Sequence, residues 1–320
     1  MKGSFQSRCQ IVFVIPTWNR KEKLRHCLDS VKSYIQIPCR ILVIDNASTD
    51  GTYEWVKNEY PDVILIRNTE NEGFSRAANK GLDYLDRRDI NFDYVVFLND
   101  DAEFRDDSMH RLIYYMEKNL HISAALPSVF SGPHRLQTGA GGYRLSLKTA
   151  FYYFFGLSIF FPWLFKGFFI HQPYYRKKRI ILELDWISGV CLVLRQQTAK
   201  KLRFPENFFM YAEDTALCRE IIKFGKIIYF PLAQVYHLKE KNTSSAISSL
   251  WLDSLFQYYG TQNKGQDTAS LRILKIIFIS GFLIRIFGYI LIGLFSRKNY
   301  RNKKKELLSF TQHVWESMER

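Results

Sequence analysis

The sequence predicts an α/β protein built on an open, mostly parallel sheet that is flanked by helices. Over the first hundred residues, short runs of Val, Ile and Leu alternate with helix-like segments. These runs do not alternate apolar with polar residues, so both faces of each strand are expected to be covered, as in parallel sheets. The chain has 320 residues and is 47% hydrophobic, which supports a large core and excludes global disorder.

The elements of this first part follow one another as βαβ units. Each predicted strand is an apolar run that ends in a polar turn, and the four runs are Gln10–Pro16, Arg40–Ile44, Val63–Ile66 and Tyr94–Leu98. Predicted helices follow the first three strands, at about 20–34, 51–59 and 74–85.

The middle of the chain is more mixed. Further short strands are predicted at Ala124–Val129, Cys191–Leu194, Ile227–Phe230 and Gln234–His237. Helices are predicted to start near Ser108 and to span Glu213–Phe224. Between these elements, Phe151–Phe169 is dense in aromatic residues. This segment fits either an ordinary aromatic core or a stretch that dips into a membrane interface.

Charge and cysteine usage narrow the class of protein. The net charge of +14 indicates an anionic partner, which is a nucleic acid, a nucleotide or an anionic membrane face. The five cysteines show no metal-ligand spacing and are expected to be reduced thiols in a cytosolic setting. No secretory signal is recognised at the N-terminus. No recognition module for nucleic acid accompanies the positive charge.

Polar residues follow all four strands of the first part, and ligands of open parallel sheets bind at the carboxyl ends of the strands. A nucleotide site is therefore expected there, but not a dinucleotide or Walker site, because the glycine-rich turns of those sites are absent from the sequence. The cluster Asn99-Asp100-Asp101 is the most informative. Two adjacent carboxylates repel unless a cation compensates them, and a hard divalent ion that clamps a diphosphate is the usual compensator. The alternative is a polar turn that caps the next helix.

Seven segments carry a resemblance to a known family: VIPTWNR, VIDNASTDGT, NEGFSRAANKG, FLNDDAEF, DWISGVCLVLR, FFMYAEDTALCRE and VYHLKEKNTSS. In this order they resemble the family-two glycosyltransferases of the GT-A fold, over about residues 10–245. The rest resembles the membrane-associated tail of bacterial rhamnosyltransferase-like members. The resemblance implies a GT-A domain over 1–245, with a nucleotide-binding half at about 10–105 and an acceptor half at about 106–245.

The resemblance also implies roles for the residues at the strand ends. Asp45 would accept the imide N–H of a uracil or thymine ring; the alternative is a turn or helix-cap role, for which Ser48 and Asp50 are equally suited. Arg76 would reach a phosphate or would be an ordinary solvated residue. The full set of implied donor-binding residues is Pro16, Thr17, Asn19, Asp45, Arg76, Asn79, Asn99 and Asp100.

Asp101 and His237 would bind the metal, Mg²⁺ or Mn²⁺, that the resemblance implies, although a histidine at a strand end can also be structural. Asn99 departs from the family, which has Asp at the first position of this motif.

Asp214 would be the catalytic base that takes the proton of the acceptor hydroxyl. Glu213 would either bind the acceptor or act as the base in place of Asp214. Trp186, Ser188 and Gly189 would bind the acceptor by lining the floor of the site between donor and acceptor. The alternative for both carboxylates is an acidic helix N-terminus. Ala216 and Glu220, downstream, depart from the family pattern.

The C-terminal extension, residues 246–320, is expected to be helical, amphipathic and basic. Ile273–Phe295 is long enough to span a bilayer, but it contains Lys275 and Arg285. A span would also export the basic run Arg297–Lys305, against the positive-inside rule. Helices that lie in the interface, with both charges reaching water, are therefore expected.

The expected function is that of an inverting glycosyltransferase at the cytoplasmic face of the bacterial inner membrane. It would move one sugar from a dTDP- or UDP-linked donor to a glycan acceptor, a lipid-linked precursor of a surface polysaccharide. An anionic membrane surface would be a further partner, and no nucleic acid is expected. The alternative is a non-catalytic nucleotide-sugar-binding scaffold in a membrane assembly complex.

Overall fold

The computed structural model describes residues 10–208, 210–238, 245–262, 268–295 and 301–319. It divides the chain into two compact units. The sheet unit comprises Met1–Gly141 and Gln172–Lys239, and the helical unit comprises Gly142–His171 and Glu240–Arg320.

The strands of the described residues, in chain order, are β1 Ile11–Thr17, β2 Cys39–Asp45, β3 Ile64–Arg67, β4 Tyr94–Leu98, β5 Ala102–Glu103, β6 Ile122–Gly132, β7 Arg135–Leu136, β8 Gly141–Gly142, β9 Leu182–Leu184, β10 Trp186–Ile187, β11 Cys191–Arg195 and β12 Lys226–His237. The helices are α1 Lys21–Tyr34, α2 Thr52–Glu59, α3 Gly73–Arg87, α4 Met109–Lys118, α5 Leu147–Phe154, α6 Leu157–Phe160, α7 Gln172–Lys178, α8 Gln196–Ala199, α9 Glu213–Ile221, α10 Ser245–Gln262, α11 Thr268–Phe295 and α12 Arg301–Glu319.

The first half of the sheet unit is parallel, as predicted. Strands stand in the order β3-β2-β1-β4, and all three pairings are parallel. Every residue of β1 and β4 is buried, which explains the uniform apolar runs. A Cβ on Gly81 of α3 would lie 2.7 Å from Cγ1 of Val14, so glycine is what lets this helix lie close against β1.

The second half continues the same sheet in the order β4-β11-β6-β12-β5. Strand β11 is antiparallel to β4 and β6, whereas β12 is parallel to β6 and antiparallel to β5. The sheet is therefore mixed but mostly parallel in its core, and the predicted fold class is confirmed.

Strand β12 differs from the prediction of two short strands around Pro231. The structure has one strand from Lys226 to His237, with a register shift between Phe230 and Gln234. Proline has no N–H to donate, so the pairing slips there in the manner of a bulge, but the strand does not end.

The helical unit packs the aromatic segment against the long apolar helix α11. The ring of Phe154 lies 4.1 Å from that of Phe278 between centroids, and a Cβ on Gly281 would overlap Phe154. The aromatic segment is partly core, because Phe154 is buried, whereas Phe160 is 74% exposed and Trp163 is 63% exposed. Contact of the exposed residues with a membrane stays a prediction.

The two charged residues of α11 form hydrogen bonds within the helical unit. The sequence pattern predicts instead that both side chains reach water. Arg285 donates to the carbonyl of Tyr153 at 3.2 Å and lies over its ring. Lys275 donates to the carbonyl of Ser317 at 2.5 Å. Within the described part of the chain, Thr268–Ile292 is one helix with the length and mean hydropathy, 2.0, of a membrane span.

The units differ from the predicted division at residue 245, since residues 142–171 group with the C-terminal helices. The predicted run Arg297–Lys305 falls partly on residues 296–300, which lie outside the described residues, as do 239–244 of the segment VYHLKEKNTSS.

Candidate active site

The candidate donor site lies where β1 and β4 end, at the point where the strand order reverses. Thr17 ends β1 and Asn99 follows β4. Strand β12 reaches the same edge because His237 pairs with Ala102 of β5. The sheet therefore brings together the predicted metal-side residues from distant parts of the chain.

Asp101 is surrounded by positive and hydrogen-bonding groups. Its Oδ1 lies 2.9 Å from Nε2 of His237, and its Oδ2 lies 2.9 Å from Nη1 of Arg20 and 3.8 Å from Nζ of Lys23. Burial alone would raise the pKa of Asp101, but the bond from His237 and the charges of His237, Arg20 and Lys23 lower it below the ordinary value. Asp101 is therefore held ionised.

Asp100 differs sharply from its neighbour. It is buried, accepts a hydrogen bond from Oγ1 of Thr17 at 2.8 Å and lies 3.5 Å from Arg20. Burial and the charge of Asp101 raise its pKa to about 6, against the lowering effect of Arg20 and Thr17. The pKa of Asp100 is therefore raised, whereas the pKa of the adjacent Asp101 is lowered.

The residues present fit a divalent ion that is shared with a ligand. Neighbouring ligands of an octahedral Mg²⁺ at about 2.1 Å lie about 3 Å apart, and Oδ1 of Asp101 and Nε2 of His237 are 2.9 Å apart. No cluster of three or more His, Cys, Asp or Glu side chains suited to a metal occurs among the described residues. An ion held by Asp101 and His237 would therefore need phosphate and water oxygens to complete its coordination sphere, as is usual for Mg²⁺.

Asp45 and Asn19 organise the loops at the neighbouring strand ends. Asp45 is fully buried, accepts from N of Ser48 at 3.2 Å and lies 3.6 Å from Nε of Arg67. Asn19, at φ 53°, accepts from N of Thr49 at 2.7 Å. The turn role considered for Asp45 is thus present, and base binding stays a prediction.

Asn79 and Arg76 contact the segment 204–206. Asn79 exchanges hydrogen bonds with the backbone of Phe204, at 2.8 and 2.9 Å, and also donates to Glu206 at 2.9 Å. Arg76 lies 3.5 Å from Glu206. These contacts hold a loop, and the predicted donor-binding roles stay untested predictions.

The predicted acceptor-side residues come together at the start of α9. Oδ2 of Asp214 accepts from N of Gly189 at 3.0 Å, and Oδ1 accepts from N of Thr215 at 2.7 Å. Burial raises the pKa of Asp214 despite these bonds. Ser188, next to Gly189, donates its N–H to the carbonyl of Ala140 at 2.8 Å, and Trp186 is buried on the same segment.

Glu213 is a second buried carboxyl group at this site. Its Oε2 is buried and has no hydrogen-bond partner among the described residues. Burial and the charge of Asp214 raise its pKa to about 8. A buried carboxyl oxygen with no partner beside the candidate base supports the prediction that Glu213 meets the acceptor.

Sequence reasoning missed two features of this site. The sequence assigns no role in the site to Arg20, and no local pattern indicates that it contacts Asp101. Tyr211 and Ala212 both have left-handed backbones, with φ of 70° and 66°, which strains L-residues. Burial and the charges of Glu213 and Asp101 raise the pKa of Tyr211, while Arg20 lowers it. The pKa of this residue therefore depends on charges from both the donor side and the acceptor side of the site.

Replacing Glu213 by Gln is expected to stabilise the folded protein increasingly as the pH rises. A raised carboxyl pKa contributes stability that is fully present below about 4.5 and is lost as the pH rises through about 8. Gln never ionises, so the gain in free energy of unfolding should grow by about 1–3 kcal/mol between about pH 5 and about pH 9. Urea unfolding across this range measures it. Glu59→Gln, at an exposed position, is the control, and a pH-independent difference for Glu213→Gln would contradict the raised pKa.

The sequence of this chain is similar to a family model and to proteins of known activity. Residues 12–176 match the family model described as Glycosyl transferase family 2. The chain is 25% identical over 244 residues to the N-acetylglucosaminyl-diphospho-decaprenol L-rhamnosyltransferase of Mycobacterium tuberculosis, covering 72% of this chain and 76% of that one. It is 29% identical over 115 residues to the O-antigen chain rhamnosyltransferase RfbN of Salmonella typhimurium, covering 35% of this chain and 34% of that protein.

Among solved structures, the chain is similar to the mannosyltransferase PcManGT from Pyrobaculum calidifontis in complex with GDP-Man and Mn²⁺. The TM-score is 0.58 at 15% identity, with 96% of this chain and 86% of that chain covered. At this identity the likeness concerns the fold.

Proposed function

We propose, from the premise that this chain belongs to glycosyltransferase family 2, that it is a metal-dependent, inverting enzyme. It would move one sugar from a UDP- or dTDP-linked donor to a hydroxyl of a lipid-linked glycan acceptor. The observation that carries the proposal is the pair Asp101–His237, 2.9 Å apart at the strand-order reversal. Asp101 and His237 would hold one divalent ion together with the donor diphosphate.

On the donor side, Asp101 and His237 would hold Mg²⁺ or Mn²⁺, with Asn99 beside them. When bound, the ion neutralises the charge that develops on the leaving diphosphate. Arg20 and Lys23 add positive charge at the same place. The anionic diphosphate is thus attracted to the positive charges of Arg20 and Lys23 and to the hydrogen-bonding ring of His237.

On the acceptor side, Asp214 would take the proton of the attacking hydroxyl. The acceptor oxygen forms a bond to the anomeric carbon, and the bond from that carbon to the phosphate oxygen breaks. The nucleoside diphosphate leaves with the electron pair. One such displacement inverts the anomeric centre. The N–H groups of Gly189 and Thr215 fix the orientation of the carboxylate, and its raised pKa brings the base closer to neutral pH.

The lipid-linked acceptor and the peripheral membrane location are supported by two observations. The mycobacterial relative is named for a diphospho-decaprenol-linked substrate. The helical unit of this chain exposes large apolar side chains, including Phe160, Leu164 and Phe287 at 74%, 67% and 61% exposure. Surfaces of this kind mark protein or membrane contacts, and an amphipathic, basic extension fits the cytoplasmic face of an inner membrane.

Thermal-shift screening against nucleotide sugars tests the donor assignment, because a ligand that binds only the folded state raises the unfolding temperature. We expect UDP- or dTDP-sugars with Mn²⁺ to stabilise the protein, by about 2.7 kcal/mol at a hundredfold excess over the dissociation constant. GDP- and ADP-sugars are the controls. Equal shifts for all four bases would remove the uracil or thymine assignment of Asp45.

Replacing Phe160 and Trp163 by Ser is expected to weaken binding to vesicles that contain anionic lipid. Full burial of such a side chain contributes about 1.5–3 kcal/mol, so each substitution should cost about tenfold in affinity or more. Co-sedimentation with anionic and with neutral vesicles measures this. Tyr114→Ser, at an exposed aromatic of α4 in the sheet unit, is the control. Unchanged vesicle binding by the double variant would remove this surface as the membrane contact.

A further inference from the structure

We infer that Gln137 is a positioning residue that turns the imidazole of His237 so that its Nε2 faces Asp101. This inference deepens the proposed function and rests on it, because it concerns the residue that would bind the metal. Gln137 belongs to none of the recognised sequence segments, and it comes to the site only through the fold.

The contact itself is short and buried. Oε1 of Gln137 lies 2.7 Å from Nδ1 of His237, and the two residues are only 8% and 5% exposed. On the other side of the ring, Nε2 lies 2.9 Å from Oδ1 of Asp101. The imidazole is therefore held between an amide oxygen and a carboxylate, with one ring nitrogen on each.

Gln137 is itself fixed by its backbone. Its N–H donates to the carbonyl of Val129 at 2.8 Å, and its carbonyl accepts from Nε2 of Gln172 at 2.5 Å. Gln172 is 1% exposed, and its Oε1 accepts from N of Val129 at 3.2 Å. This closed set of bonds ties the residue to the end of β6, so the amide reaches His237 from a rigid position.

The chemical consequence follows from the two nitrogens of imidazole. An amide oxygen accepts a hydrogen bond, so Nδ1 carries a proton. Nε2 donates to Asp101 in the ligand-free site, and it is the nitrogen that would bind a metal in place of that proton. Partners of this kind fix the tautomer and orientation of metal-binding histidines, and their loss commonly costs 10–100-fold in metal affinity.

Three full-length variants test the inference. Gln137→Leu removes the acceptor, Gln137→Glu keeps an acceptor oxygen, and Gln234→Leu is the matched control. Gln234 lies on the same strand as His237 but bonds to Arg176 and Asp106. Electron paramagnetic resonance of free Mn²⁺ measures affinity in the presence of UDP or dTDP. We expect Gln137→Leu to weaken Mn²⁺ binding about 10–100-fold, and the Glu variant and the control to remain near wild type. Equal loss in the Leu and Glu variants, or none in either, overturns the inference.

The ring nitrogens of His237 provide a second readout that does not depend on the metal. In ¹⁵N-labelled wild type, Nδ1 should carry the proton, both without metal and with diamagnetic Mg²⁺, and Gln137→Leu should shift the balance toward the other tautomer. A wild-type Nδ1 without a proton overturns the inference. If wild type binds no Mn²⁺, the metal in the proposed function fails, and the nitrogen spectrum alone decides the role of Gln137. Thermal unfolding of each variant separates a local effect from loss of the fold.

Discussion

Asp214→Asn is expected to reduce the rate of sugar transfer by about 10²–10⁴-fold, which is the usual contribution of a general base. The side chain lies at the N-terminus of α9, where N–H groups of Gly189 and Thr215 hold both carboxylate oxygens. Asn keeps the shape but cannot take a proton. Donor binding should persist, because the substitution does not touch Asp101 or His237.

Transfer from a radiolabelled UDP- or dTDP-sugar to a lipid-linked acceptor measures this effect, with thermal unfolding alongside. The amide N–H of Asn would face an N–H group of the backbone, which costs about 1–3 kcal/mol if it stays unpaired, so the fold must be checked. Glu220→Gln is the control, because Glu220 is a surface carboxylate of the same helix that pairs with Lys223. Wild-type turnover in Asp214→Asn would defeat the assignment of the base and would favour Glu213, whereas the absence of transfer by the wild-type protein itself would favour a non-catalytic scaffold.

Asp101→Asn is expected to abolish tight Mn²⁺ binding and to lower kcat/KM by about 10³-fold. The metal supplies several kcal/mol of charge stabilisation in such reactions, and each 1.36 kcal/mol corresponds to about tenfold in rate. The substitution also removes the negative charge that compensates Arg20, Lys23 and His237, all within 4 Å of this carboxylate. Stability should therefore fall as well, because positive groups at this buried position lose their partner.

Titration of activity with Mn²⁺ separates the two consequences. If Asp101 binds the metal, saturating Mn²⁺ should restore part of the lost rate, whereas a purely structural role would leave the rate independent of Mn²⁺. Asp107→Asn is the control, since Asp107 lies on the same segment but is exposed and pairs with His110. Full activity of Asp101→Asn in the presence of a chelator would sink the proposal of a metal-dependent enzyme.

The parallel part of the fold was predictable because its signal is local. Uniform apolar runs report burial of both strand faces, and all four predicted strands of the first hundred residues lie within two residues of β1 to β4. The position of Asn99-Asp100-Asp101 at a ligand-binding edge followed from the same pattern. The resemblance to family-two glycosyltransferases is confirmed by the match over residues 12–176.

The contacts that define the site were not predictable in this way. Gln137 and His237 are 100 residues apart, and His237 reaches Asp101 only because β12 pairs with β5. Asn79 bonds to Phe204, 125 residues further along the chain, a contact that no local pattern indicates, while its donor-binding role stays a prediction. Such partners depend on strand order and register, which no short segment encodes.

The sequence by itself determined the sheet, the edge where a nucleotide would bind and the candidate carboxylates, because burial, turn and charge patterns act over a few residues. The tertiary structure alone decided that Arg20 and His237 compensate the charge of Asp101. It also decided that burial raises the pKa values of Glu213 and Asp214 above their ordinary values. Finally, it decided that the aromatic segment belongs with the C-terminal helices. Each of these depends on desolvation or on atoms brought together from distant positions, and both arise only when the chain is folded.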